Sequence, residues 1–341
     1  MRYKLLGGSG LRVSEISLGA MTFGEEWGWG SSREECRKMF DAYAEAGGNF
    51  IDTANRYTEG TSEKIVGELV RSDRGRFVVA TKYTLYTRKG DPNASGNHRK
   101  NMVQSLEASL TRLGMEYVDL YWLHAWDFTT HEEEVMRALD DLVRQGKVLY
   151  IGVSDTPAWI VSRANTIAGL RGWTPLVALQ IEYSLIQRTV EREFLPMAKA
   201  LDLALTAWAP LGGGALTGKY LRKEGAGGRL KPENQRLSER NREIARAVVD
   251  VAGEAGCTPA QVALAWLRAQ GDQIIPIVGA RTAEQLRDSL GSVSVSLTGD
   301  QLKRLDTVSR IDPGFPHDFL SSPPIREIVF GGTYDMIDRH R

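Results

Sequence analysis

Cysteine and histidine, on which disulfide frameworks and most transition-metal sites depend, are scarce in this sequence. Its 341 residues include two cysteines and five histidines. Cys36 and Cys257 are far apart and match no metal-binding spacing, which favours a reduced, cytosolic setting. A metal-dependent barrel hydrolase needs clustered ligands, and no two histidines lie at ligand spacing. We therefore expect a cytoplasmic protein without a bound metal.

An excess of one charge and long hydrophobic runs are also absent. Lys and Arg number 43, as do Asp and Glu, so no net field attracts nucleic acid or an anionic membrane. No apolar run approaches the roughly 20 residues of a membrane-spanning helix. The chain reaches Gly7 and Gly8 before a signal-peptide core could form. A hydrophobic content of 42% is typical of a soluble globular enzyme, and the expected partner is a small molecule.

The Gly-x-Gly-x-x-Gly fingerprint that opens a Rossmann fold is missing as well. Short apolar runs instead alternate with helical patterns, and eight such strands predict a closed (β/α)8 TIM barrel. An open doubly wound sheet is the alternative. The predicted strands are residues 16–20, 50–53, 77–81, 118–123, 148–153, 177–181, 204–207 and 274–278. A helix is predicted over residues 190–200 among the others that connect them.

The expected organisation is one barrel domain over residues 1–341. Residues 1–15 form an N-terminal β-hairpin that closes the barrel floor, and residues 16–297 form the barrel. Residues 298–341 carry one more helix, at 299–309, followed by a tail rich in proline and glycine.

Four polar residues lie where predicted strands end: Asp52, Tyr57, Lys82 and His124. In a parallel barrel, the C-terminal ends of the strands build the active site, so these side chains should converge. Lys82 can favour ionisation of the Tyr57 phenol, Asp52 can hold Lys82 protonated, and His124 can orient a substrate oxygen. Together they form an oxyanion site with a proton source. Taken singly, each is more often a structural ion pair or a packing residue.

Several motifs occur in the order found in one enzyme superfamily. They are LGGSGLRVS at 6–14, ISLGAMTFG at 16–24, DTANRY at 52–57, QIEYSL at 180–185 and AWAPL at 207–211. Over residues 1–310 the sequence resembles the aldo-keto reductase superfamily, and within it the branch of aryl-alcohol dehydrogenases and potassium-channel β subunits. The resemblance implies NADPH-dependent carbonyl reduction, with Tyr57 as the general acid of the tetrad Asp52, Tyr57, Lys82 and His124.

Two segments could hold the phosphates of a dinucleotide in a barrel. Residues 211–219 offer four glycines, including Gly213, whose backbone can approach an anion, and the cation Lys219. Gly279 and Arg281 lie where the eighth strand ends and a helix begins, so Arg281 could meet a 2′-phosphate. A flexible surface loop and a solvated arginine are the plain alternatives. We expect the connection 212–228 to close over the bound cofactor.

The resemblance implies further cofactor contacts. Asp155 stands after Ser154, where the family commonly has an Asn that holds the nicotinamide carboxamide, and Trp208 offers a flat face for the ring. Ser289 likewise replaces a frequent Asn. The cofactor-binding set implied in this way is Ser154, Asp155, Gln180, Trp208, Pro210, Leu211, Gln285, Asp288 and Ser289.

Aromatic residues in loops on the predicted catalytic face suggest a bulky or aromatic carbonyl substrate. They are Trp27, Trp29, Tyr86, Trp126 and Phe128, with Trp27, Tyr86 and Trp126 as the expected pocket. The alternative is that they cover the barrel rim. A regulatory subunit that senses cofactor, with slow turnover, is the second functional hypothesis, and a homo-oligomer is compatible with either.

Overall fold

A computed structural model describes residues 1–221 and 230–338 of the chain. Eight parallel strands close into a barrel in the order β10-β3-β4-β5-β6-β7-β8-β9. The predicted barrel is confirmed, and the open sheet is excluded. The strands are β1 Tyr3–Leu5, β2 Arg12–Ser14, β3 Ser17–Gly19, β4 Phe50–Asp52, β5 Val78–Tyr83, β6 Val118–Leu123, β7 Val148–Ser154, β8 Leu176–Glu182, β9 Ala204–Trp208 and β10 Ile274–Val278.

Helices follow every barrel strand and cover the outside of the barrel. They are α1 Arg33–Glu45, α2 Thr61–Val70, α3 Arg99–Leu113, α4 Glu132–Arg144, α5 Ala158–Arg171, α6 Phe194–Ala200, α7 Glu239–Ala255, α8 Pro259–Ala269, α9 Ala283–Leu290, α10 Gly299–Ser309, α11 His317–Ser321 and α12 Pro323–Phe330. Apolar residues at helical spacing on α1–α9 pack against the buried strands and form the main core. Among the described helices, none is long and apolar enough to span a bilayer.

The N-terminal hairpin, β1 with β2, plugs the end of the barrel where the strands begin. Leu6 and Val13 are fully buried among residues of the barrel interior. Gly7 makes the closest approach: its φ is +57°, and a Cβ there would lie 2.1 Å from the Val177 carbonyl oxygen. Only glycine can adopt this conformation without strain or a clash, so the hairpin fits the barrel at this point.

The barrel interior is filled by side chains and is not a pore. Trp122 on β6 is fully buried, and its indole occupies the space beside Gly152 on β7, where a Cβ would lie 2.4 Å from the ring. A large residue on one strand thus matches the smallest residue on the next, which is how small barrels are packed. This packing forms the floor beneath the catalytic face.

The prediction differs from the structure in two helical regions. The helix expected over 190–200 begins later, since Thr189–Glu191 is a 3-10 turn and α6 starts at Phe194. The tail beyond α10, described from the sequence only as rich in proline and glycine, contains α11 and α12. Two prolines open α12, and in the first turn of a helix a missing N–H costs nothing. Residues 222–228 of the connection 212–228 lie outside the described part of the chain.

Candidate active site

A cleft of about 840 Å³ opens at the C-terminal ends of the barrel strands. Three of the predicted catalytic residues line it: Asp52 ends β4, Tyr57 follows it, and His124 follows β6. The fourth, Lys82 in β5, is buried behind the lining against Tyr57. The predicted cofactor residues that line the same cleft are Ser154, Asp155, Gln180, Trp208, Pro210, Leu211, Gly213, Lys219, Gly279, Arg281, Gln285, Asp288 and Ser289. Seven different strands therefore deliver residues to one cavity.

A buried chain of hydrogen bonds joins three of the catalytic candidates. The Lys82 ammonium donates to Asp52 Oδ2 at 2.5 Å, to the Thr53 carbonyl at 2.8 Å and to the Tyr57 hydroxyl at 3.1 Å. Gln180 donates to the other carboxylate oxygen of Asp52 at 3.0 Å. Lys82 is fully buried, and its three donors are all used. The ammonium is therefore fixed against the phenol.

A strained turn after β4 positions Tyr57. The two residues that follow, Thr58 and Glu59, have positive φ values of 45° and 55°. The turn is held because Thr58 Oγ1 donates to the Phe23 carbonyl at 2.6 Å and accepts from the Ser62 amide at 3.0 Å. Left-handed backbone in β-branched residues is unfavourable and persists only where the surroundings determine it. Here it directs the phenol into the cleft.

His124 faces Tyr57 across the cleft, with the ring centroids 5.8 Å apart in an edge-to-face arrangement. Its backbone N–H donates to Thr84 Oγ1 at 3.2 Å. Burial, and secondarily the Lys82 charge, holds the pKa of His124 well below its ordinary range. The imidazole is therefore neutral at pH 7, so one ring nitrogen donates and the other accepts.

Burial changes the acidity of the Tyr57–Lys82 pair. It raises the pKa of Tyr57 above its ordinary value, and the Lys82 charge opposes that effect without cancelling it. Burial acts to lower the pKa of Lys82, but Asp52 and Tyr57 outweigh it, so that pKa lies above its ordinary value. The ammonium thus has the expected influence on the phenol, while Tyr57 stays protonated at neutral pH and keeps a proton to give.

Glycines and cations lie at the other end of the cleft. Gly213 and Gly214 line the cleft. Their φ values of +67° and +93° belong to a backbone conformation that most other residues avoid. Lys219 Nζ lies 5.0 Å from the centre of the Tyr220 ring. Neither Lys219 nor Arg281 forms a salt bridge with another described residue. Two cations without carboxylate partners among the described residues could hold an anion at this end of the cleft.

The start of α9 completes this end of the cleft. The Gln285 side chain accepts from the Arg281 amide at 3.1 Å, and Thr282 caps the helix. Asp288 accepts from Thr258 Oγ1 and from Gln261 Nε2, each at 3.1 Å. These bonds join the start of α8 to the last turn of α9.

Asp155 and Trp208 form a pair between the two ends of the cleft. Trp208 Nε1 donates to Asp155 Oδ1 at 3.1 Å, and the Arg236 guanidinium lies 6.0 Å from the centre of the indole. Asp155 has a positive φ of 40°, which Asp and Asn tolerate better than most residues. The pair presents an aromatic face and a carboxylate to the cavity.

The predicted aromatic pocket is only partly assembled in the cleft. Trp27 and Trp29 line it, with their ring centroids 5.5 Å apart. Tyr86 does not line it, although its hydroxyl accepts a hydrogen bond at 2.9 Å from Arg56, which does. Trp126 packs against the main core, and Phe128 is 71% exposed to solvent. These two are rim residues in the structure.

Other residues of the cleft were missed from the sequence, notably Thr22, Arg56, Arg236 and Thr258. Arg236 follows a long connection and pairs with Glu182 at 2.5 Å. The sequence of this connection has no helical or strand period, so it does not reveal where the connection passes over the barrel. Thr258 had a usable signal, since its capping box with Gln261 marks the start of α8.

Comparison with known proteins agrees with this geometry. A model of the Aldo/keto reductase family matches residues 15–310. An aryl-alcohol dehydrogenase [NADP(+)] of Phanerodontia chrysosporium is 39% identical, over 97% of this chain and 92% of the relative. A norsolorinic acid reductase of Aspergillus flavus is 37% identical, over 94% of this chain and 84% of the relative. A putative aryl-alcohol dehydrogenase of Saccharomyces cerevisiae is 36% identical, over 93% and 88%. The chain therefore belongs to the aldo/keto reductase family.

Proposed function

We propose that this protein reduces aldehydes or ketones to alcohols with NADPH, and that Tyr57 is the general acid. The observation that carries the proposal is the hydrogen-bonded chain from Asp52 through Lys82 to Tyr57, which ends in a cleft of about 840 Å³. A hydroxyl that is held against a fixed ammonium can give its proton to an oxygen on which negative charge develops.

The remaining tetrad residues have distinct roles in this proposal. The neutral His124 donates a hydrogen bond to the carbonyl oxygen and orients it toward Tyr57, whose ring centroid is 5.8 Å away. Lys82 stabilises the phenolate that remains after the proton has moved. Asp52 keeps Lys82 charged at a site where burial alone would favour the neutral amine. Gln180 holds the second oxygen of Asp52.

The residues at the other end of the cleft fit a dinucleotide. Lys219 and Arg281 lack carboxylate partners in the described part of the chain, and Gly213 allows close backbone approach to an anion. We assign Arg281 to a 2′-phosphate, Gln285, Asp288 and Ser289 to the adenosine, and Trp208 to the nicotinamide. When bound, NADPH supplies the hydride that reduces the carbonyl carbon. The NADP(+) in the name of the Phanerodontia relative supports this choice of cofactor.

The proposed substrates are bulky or aromatic carbonyl compounds. Trp27 and Trp29 line the cleft next to Tyr57, and the Trp27 and Tyr57 rings meet edge to face at 6.4 Å. An apolar aromatic wall beside the proton donor suits a flat ring system. The names of the relatives, aryl-alcohol dehydrogenase and norsolorinic acid reductase, point to the same class.

The test is Tyr57→Phe, which removes only the hydroxyl. We expect carbonyl reduction to fall by roughly 10²–10⁴-fold, the usual worth of general acid catalysis, with NADPH affinity within a few-fold of wild type. Tyr3→Phe is the matched control, because its hydroxyl bonds the Gly47 carbonyl at the opposite end of the barrel. Retention of more than about a tenth of the wild-type kcat by Tyr57→Phe would refute this role. A wild type that binds NADPH but turns over no aldehyde, ketone or quinone would favour the regulatory alternative.

A further inference from the structure

Asp155 is a solvent-exposed acid of the cleft whose carboxylate forms no salt bridge with another described residue. It lines the cavity directly after β7. Its only side-chain hydrogen bond within the described residues is the one from Trp208 Nε1, at 3.1 Å, and none of the salt bridges among those residues includes it. One indole N–H compensates only part of a carboxylate charge. The site therefore holds negative charge that a ligand can balance.

The neighbouring cations are already paired. Lys82 is bound to Asp52, and Arg236 is bound to Glu182. The fields of Glu182 and Lys82 act on this carboxylate, its own field acts on Tyr57, and Asp52, His124 and Arg236 line the same cleft. Desolvation by the surrounding protein raises the pKa of Asp155 and Glu182 adds to that rise, whereas the hydrogen bond from Trp208 and the Lys82 charge oppose it. The field of Asp155 reaches the proton donor, since it contributes to raising the pKa of Tyr57.

We propose that Asp155 is a specificity-determining residue that favours the oxidised cofactor over the reduced one. The inference rests on the proposed function. The nicotinamide ring is a cation in NADP+ and neutral in NADPH, and hydride transfer to a carbonyl near Tyr57 requires that ring in the part of the cleft where Asp155 acts. A carboxylate in a partly desolvated site attracts a cation more strongly than a neutral ring.

This preference has a consequence for the reaction. Tighter binding of NADP+ than of NADPH shifts the equilibrium between the bound species toward alcohol by the ratio of the two dissociation constants. Carbonyl reduction is therefore favoured while substrate and cofactor are bound, and NADP+ leaves the protein slowly. An uncharged amide at the same position would leave that equilibrium closer to its value in solution.

The experiment measures dissociation constants for NADP+ and NADPH by tryptophan fluorescence in wild type and in Asp155→Asn. Asn keeps an acceptor for Trp208 and tolerates the left-handed backbone, so the change removes charge and little else. We expect the NADPH-to-NADP+ ratio of dissociation constants to fall about tenfold in the variant. Glu284→Gln is the control, since that carboxyl lies in the first turn of α9 outside the cleft lining, and it should leave the ratio unchanged.

The pH dependence of the same ratio is a second measurement. As the pH falls toward the pKa of Asp155, which lies above the ordinary range of an aspartate, wild type should lose its preference for NADP+. The Asp155→Asn ratio should stay flat. An unchanged ratio in Asp155→Asn, or an equal shift of both constants, would overturn the inference and leave the proposed function intact. A wild type that binds neither form of the cofactor would overturn both.

Discussion

Replacing one member of the Lys82–Asp52 pair should destabilise the fold, whereas replacing both members together should not. The two side chains are 0% and 3% exposed, and Nζ and Oδ2 are 2.5 Å apart. Lys82→Met leaves a buried carboxylate whose one remaining side-chain hydrogen bond within the described residues comes from Gln180, and Asp52→Asn leaves a buried ammonium. Each single change should cost about 3–5 kcal/mol of unfolding free energy. Lys82→Met combined with Asp52→Asn should lie within about 1 kcal/mol of wild type, because no charge is then buried.

The pH dependence of the unfolding free energy sets the expected size of the Asp52→Asn effect. In Asp52→Asn, burial is no longer opposed by the carboxylate, so the Lys82 pKa falls below that of the unfolded chain. The unfolded state then binds a proton that the folded amine lacks, and stability rises with pH up to about 10.5 by at most about 1.4 kcal/mol per unit. At pH 7 the penalty is therefore limited to about 5 kcal/mol. In wild type the folded pKa is raised, so the contribution of the pair persists below the unfolded pKa and is lost only at higher pH.

Urea unfolding followed by tryptophan fluorescence gives the required free energies at each pH. The exposed pair of Lys38 and Glu34 on α1 is the matched control, and Lys38→Met with or without Glu34→Gln should leave the unfolding free energy nearly unchanged. Single variants at Lys82 and Asp52 that lose less than about 1 kcal/mol would refute the reasoning. So would a double variant that loses the sum of the two single costs.

Three further predictions concern other parts of the molecule. Arg281→Ala should weaken NADPH binding about ten- to a hundredfold while NADH binding stays the same, and an unchanged cofactor ratio would mean that another cation contacts the phosphate. The unfolding free energy should fall as the pH drops below about 6.5, because unfolded His124 takes up a proton that the buried imidazole does not, and His124→Gln should remove that part of the slope. Gly7→Ala should cost about 2 kcal/mol or more in urea unfolding, since its Cβ would clash with the Val177 carbonyl, whereas Gly10→Ala, in open space, should be nearly neutral.

The barrel and the location of the tetrad could be predicted because both follow from local patterns. Each buried strand is a short apolar run, and in a parallel barrel the residue that ends such a run lies on the catalytic face. Asp52 and His124 needed no more than this rule. Lys82 is a partial exception, since β5 continues to Tyr83 and the lysine lies inside the strand. Its side chain still points toward Tyr57, because successive residues of a strand alternate between the two faces of the sheet.

Features that depend on the path of long connections could not be predicted. Arg236 reaches the cleft after a connection with no helical or strand period, and Tyr86 lies outside the lining although it accepts a hydrogen bond from Arg56, which lines the cleft. The net rise in the pKa of Tyr57 also required the structure, because the sequence reveals the neighbouring charge but not the degree of burial. The unpaired state of Asp155 depends on the partners that Lys82 and Arg236 have in space.

Backbone strain in this barrel is concentrated on the face that carries the chemistry. Within the described residues, positive φ at non-glycine positions occurs after the strands at Thr58, Glu59, Thr84, Phe128, Asp155 and Ala209, and before a strand only at Asp202. Such conformations cost of order 1–3 kcal/mol each and persist where the surrounding structure holds them. The structure that holds these conformations lies beneath the catalytic face, where Trp122 fills the barrel interior and Leu6 and Val13 close its far end. Changes at the floor should therefore alter stability without altering cofactor affinity, whereas removal of the Lys82–Asp52 pair should abolish catalysis at almost no cost in stability.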